Sequence, residues 1–119
     1  MATAWRRSAA HLGRLDAPMR FAYIATTIPI EAAAELIREV VLPGCEIEER
    51  DGLNIGGGQY FRLRQNDTGF VLCWSEQYAS PPSPRFTYCA YVSDGPEEEL
   101  DRLASKLSAH GVETLVEEE

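Results

Sequence analysis

Apolar and polar residues begin to alternate at Met19, and their period changes several times before the C-terminus. In MRFAYIATT, Phe21, Tyr23 and Ala25 interleave with Ala22, Ile24 and Thr26. Both faces are mostly apolar, which predicts a strand buried on both sides. Next, Ile30, Ala33, Ala34, Ile37, Val40 and Val41 recur at helical spacing, with Glu31, Glu35, Arg38 and Glu39 between them. Pro29 suits a first turn, and Pro43-Gly44 ends the helix.

The middle of the chain is β-rich. CEIEER, then Asp51-Gly52, then LNI predicts a hairpin, because Asp-Gly supplies the positive φ angles of a tight turn. QYFRLRQ, then NDTG, then FVLCWSE predicts a second hairpin. Setting Gln65 opposite Phe70 sets Leu63 opposite Leu72 and Phe61 opposite Trp74. Phe61, Leu63, Phe70, Leu72 and Trp74 then share the core face. Tyr60, Arg62 and Arg64 share the other, opposite Ser75, Cys73 and Val71. The proline-rich YASPPSPR interrupts the ladder. RFTYCAYVS is another strand, with Phe86, Tyr88, Ala90 and Val92 expected on one side.

The last third predicts an amphipathic helix and a strand. Pro96 opens the helix, and Glu97, Glu98 and Glu99 sit at the positive end of its dipole. Leu100, Leu103, Ala104 and Leu107 form the buried stripe, Gly111 caps it, and VETLVEEE follows. The expected order is β-α-β-β-β-β-α-β. This is an α+β fold: a mostly antiparallel five- or six-stranded sheet with two helices packed on one face. Residues 19–119 form one domain, and residues 1–18 are expected to be a flexible arm that carries little of the fold.

Charge changes the picture next. The chain has 119 residues, with 11 basic and 19 acidic, for a net charge of -8. Arg6, Arg7 and Arg14 against Asp16 give residues 1–19 a net of +2, so residues 20–119 carry -10. An acidic body repels nucleic acid and anionic membrane, and it favours a basic partner. No apolar run approaches the roughly 20 residues that span a bilayer. Three cysteines without a CxxC pair suit neither a disulfide framework nor a zinc site, and a reducing cytoplasm fits them best.

The residues give little support to catalysis. Gly56, Gly57 and Gly58 precede a strand and have no Lys nearby, so they read as a bulge or kink and not as a phosphate loop. Of the two histidines, His11 is in the arm and His110 precedes the capping Gly111. Glu76, after Trp74, is a weak candidate for a general acid, and Cys73 and Cys89 have no base beside them in sequence. Metal ligands, cofactors and a catalytic set are therefore not expected. Tyr60, Arg62 and Arg64, with Tyr78, Arg85, Tyr88 and Tyr91 on nearby segments, are residue types that carry binding energy at interfaces.

The βαβββ order followed by a helix that ends in AHGVE resembles half of a glyoxalase-type (vicinal oxygen chelate) fold, and equally an elaborated ferredoxin-like domain. The glyoxalase resemblance implies His and Glu metal ligands on strands. No strand here contains a His, which argues against metal-dependent activity.

The function expected is a non-enzymatic acidic protein-binding module, such as a bacterial immunity protein that inhibits a basic toxin. Its partner-binding residues would be Glu97, Glu98, Glu99, Tyr60, Arg62 and Arg64. The alternative is a small-ligand-binding or enzymatic domain that uses a concave sheet as a homodimer. A subunit of a larger assembly is a third class.

Overall fold

The computed structural model describes residues 20–52 and 58–118. The arm expected over residues 1–18, Gly56 and Gly57 of the glycine run, and Glu119 lie outside the described residues.

The elements are β1 (Arg20–Ala25), α1 (Ile30–Val40), β2 (Glu46–Gly52), β3 (Gly58–Gln65), β4 (Thr68–Trp74), α2 (Ser75–Tyr78), β5 (Phe86–Asp94), α3 (Glu98–Ala109) and β6 (Glu113–Glu118). The six strands form one sheet in the order β2-β3-β4-β5-β1-β6, and every pairing is antiparallel. This is the expected α+β fold, with one added helical turn, α2. At about 4.8 Å per strand spacing, the edges β2 and β6 stand about 24 Å apart.

The helical periods read from the sequence are the ones that are buried. Ile30, Ala33, Ala34 and Ile37 of α1 and Leu100, Leu103 and Leu107 of α3 pack on one sheet face against Ile24, Leu63, Phe70, Leu72 and Tyr88. The end of α3 is fixed by its backbone. Gly111 takes φ +91°, which lets its N–H reach the Ser108 carbonyl at 3.0 Å and the Val112 N–H reach the Leu107 carbonyl at 2.9 Å.

The opposite sheet face holds a second apolar cluster. Phe21, Tyr23, Val71, Cys73, Phe86 and Cys89 are buried there, with Tyr60 and Tyr91 packed against them. No residue of α1 or α3 belongs to it. β1 contributes to both clusters, as its two apolar faces predicted.

Three details differ from the sequence reading. Asp51 and Gly52 are strand residues, paired with Gln59 and Gly58, and not a turn. A dipeptide's turn preference is local, and the ladder with β3 outweighs it. In the second hairpin Gln65 pairs with Thr68, Leu63 with Phe70 and Phe61 with Leu72. Asn66 adopts φ 55°, so Asn66-Asp67 alone makes the turn. The register moves by two residues, which keeps each side chain on its expected face. Lastly, Phe86 leaves the side shared by Tyr88, Ala90 and Val92. A bulge between the Ile24–Tyr88 and Ala25–Phe86 pairs rotates it into the second cluster.

Candidate partner-binding site

The two residue sets expected to bind a partner lie on well-separated parts of the sheet. Tyr60, Arg62 and Arg64 are on β3, beside the β2 edge, whereas Glu97, Glu98 and Glu99 open α3, which packs by β1 and β6. β3 and β6 are four strand spacings apart, about 19 Å.

On β3, the guanidinium groups face carboxylates of this same chain. Arg62 and Arg64 both approach Asp94, at 3.8 and 3.6 Å. They pair in register with Glu48 and Glu46. Glu48 accepts a hydrogen bond from Arg50 at 2.9 Å. That bond holds its carboxyl below the usual range, and the charges of Arg62 and Arg64 add to the effect. Tyr60 is half-buried against the second cluster.

The tyrosines expected nearby divide between the two faces. Tyr91 packs on the second cluster, whereas Tyr88 is in the helix-side core, where its hydroxyl donates to the Ile28 carbonyl at 2.6 Å. Burial pushes the Tyr88 phenol up. Its ring lies 4.9 Å from that of Trp74, which is half-buried on the same face. Tyr88 is thus a core residue and not part of a binding face, because it shares its strand parity with Ala90. The Tyr78 side chain lies outside those described. Arg85 grips Glu113 with two hydrogen bonds, at 2.9 and 2.7 Å, and stacks over Phe86 at 4.8 Å.

At the other side, the fold merges two acidic clusters that are distant in sequence. Arg20, the first residue of β1, pairs with Glu118 of β6 in the ladder. Its guanidinium donates to Asp101 at 2.6 Å and to the Glu97 carbonyl at 3.4 Å. The Asp101 bond and the charges of Asp101, Glu97 and Glu118 raise its pKa against the opposing effect of burial. Glu99 pairs with Arg102 at 3.3 Å, while Glu98, Glu117 and Glu118 are exposed. Asp101 of α3 and Glu118 of β6 therefore bear on the one guanidinium of Arg20, while Glu98 and Glu117 stand exposed on the same two elements. Arg20 and Asp101 were missed from sequence. The Glu97–Asp101 spacing of one helical turn was legible, but the approach of Arg20 across 81 residues was not.

The groups considered for chemistry divide between the surface and the core. Glu76 is exposed. Cys73 and Cys89 are a buried cross-strand pair with their sulfurs 3.6 Å apart, and their mutual hydrogen bond, followed by burial, pushes the Cys73 thiol up. Burial likewise pushes up Cys45, which borders a depression of about 790 Å³ beside α1, lined in part by Ile28, Leu36, Glu35 and Glu39. A raised thiol is a poor nucleophile at neutral pH. Among the described residues, no three His, Cys, Asp or Glu side chains are grouped to hold a metal ion, and no helix is long and apolar enough to cross a membrane.

Comparison with protein-family models, with curated proteins and with solved structures returned no match.

Proposed function

We propose that this chain is a non-enzymatic, acidic protein-binding module whose partner is a basic protein. The observation that carries the reading is the convergence of Glu97, Asp101 and Glu118 on the single guanidinium of Arg20. Acidic residues scattered for solubility gain nothing from gathering, because like charges within a Debye length, about 8 Å at physiological salt, repel one another. A gathered patch sets up a directed field that speeds encounter with a cationic surface. A bacterial immunity protein that covers the cationic groove of a toxin enzyme is the relationship this pattern fits best.

The second sheet face suits this reading better than a small-ligand site. A concave binding sheet needs an open face, whereas Phe21, Tyr23 and Cys89 on that face are fully buried.

The test is complex formation with the purified basic product of an adjoining gene, followed by gel filtration at low and high salt. The expected result is a complex at low salt that is lost when Glu98, Glu117 and Glu118 are changed to Lys. It should survive Glu46→Lys and Glu49→Lys on the opposite edge. A complex that ignores both sets of substitutions would overturn the reading.

A further inference from the structure

Of the two sheet edges, β6 offers what an incoming strand requires. Among the described residues no strand pairs with its outer side. Alternate residues of an edge strand turn their backbone N–H and C=O groups outward, ready to extend the ladder. β6 also carries Leu115, 39% exposed and the one exposed large hydrophobic among the described residues. The β2 edge differs. Its Ile47 packs into the helix-side core, and its Glu48 is paired with its own Arg50.

We infer that β6 is a docking strand for an extended basic segment of the partner protein, which joins the sheet beside it. This rests on the acidic-module reading and names the surface and the mode of contact. On the face away from the helices β6 presents Glu113, Leu115 and Glu117, which pair with Ala25, Tyr23 and Phe21 of β1. On the helix side it presents Thr114, the half-buried Val116 and the exposed Glu118. Glu113 is already held by Arg85 and Asp101 by Arg20, so the exposed Glu117 and Glu118 are the β6 carboxylates open to a partner. A matching strand sets an apolar residue against Leu115 and cationic residues against Glu117 and Glu118.

Charge excludes a second copy as the favoured occupant. In a continuous antiparallel sheet, residues directly opposite must share a face. Two β6 strands centred on Leu115 would set Glu113 against Glu117 twice, and like charges directly opposite are destabilising. The same acids that block self-pairing select a basic strand.

The probe is a peptide, Lys-Lys-Val-Val-Thr-Lys, blocked at both ends, written to oppose β6 from Glu118 back to Glu113. Two versions carry N-methyl groups on one or the other set of alternate amides, which keeps the charge and removes ladder donors. NMR titration of the full chain at millimolar peptide should show salt-sensitive binding. One methylated version should bind about tenfold more weakly and the other nearly as well as the parent. Alternate β6 amides should exchange about tenfold more slowly in the complex. Equal binding by all three peptides, with β6 exchange unchanged, would overturn the docking strand and leave the acidic module standing. Alternate β6 amides already protected in the free chain would also overturn it. Protection that rises with protein concentration would then mark a second copy as the occupant, and protection independent of concentration would mark the chain's own basic residues 1–19. Absent or salt-indifferent binding would overturn both readings.

Discussion

Changing Phe21 to Ala tests whether the second sheet face is core or surface. Phe21 is fully buried, with its ring centroid 6.1 Å from both Tyr23 and Tyr91 and edge-on to the latter. A buried aromatic removes roughly 150–250 Å² from water, worth about 4–6 kcal/mol at ~25 cal/mol per Å². Alanine recovers part of that area, and measured Phe→Ala changes in cores cost about 3–5 kcal/mol. For 119 residues the unfolding entropy is about 0.25 kcal/mol/K, so the melting temperature should fall by about 12–20 °C. Urea unfolding followed by tryptophan fluorescence measures the loss directly. A cost below about 1 kcal/mol would place Phe21 on an open surface. The face beyond β1 would then be available to a ligand, and the case against a small-ligand site would fail.

Three further perturbations probe single contacts. Ser75, 1% exposed, has a hydroxyl without a hydrogen-bond partner among the described residues, so Ser75→Ala should be neutral or stabilising by about 1 kcal/mol in thermal unfolding; a clear loss would reveal a partner for that hydroxyl. Gly95 has φ +100°, and a Cβ there would stand 2.8 Å from the Asp67 carbonyl oxygen, so Gly95→Ala should cost at least about 2 kcal/mol, and a wild-type urea midpoint would refute the strain. Arg85 holds the Glu113 carboxyl below its usual range; the stability this pair adds is present above the unfolded-state value and fades as pH falls through the folded one. NMR titration should show the Glu113 midpoint rise in Arg85→Gln, and an unmoved midpoint would contradict the pairing.

Much of the fold was legible because it is written in local periods. The spacing of Ile30, Ala33 and Ile37, and of Leu100, Leu103 and Leu107, gave both long helices and their buried faces. Strand parity gave the two sides of the β3–β4 hairpin despite the two-residue error in register. The errors arose where a local signal competed with pairing. Asp51-Gly52 favours a turn, yet it continues the β2–β3 ladder, and the bulge that rotates Phe86 depends on β1. The acidic site was only half legible. Runs of Glu are visible, but their meeting needs β1 to lie between β5 and β6 and α3 to pack beside it. That arrangement brings Glu117 and Glu118 to the side of the sheet where α3 packs, so Glu46 and Glu49 on the far edge serve as the control.

The central claim, that the gathered acids recruit a basic partner, is tested most directly by its association rate constant as a function of ionic strength. Stopped-flow mixing should show wild type slowing steeply as salt rises. Changing Glu98, Glu117 and Glu118 together to Lys should slow association by about tenfold or more at low salt, with the curves converging at high salt. The Glu46→Lys, Glu49→Lys control should follow wild type. A rate constant indifferent to salt and to all these substitutions would contradict the account.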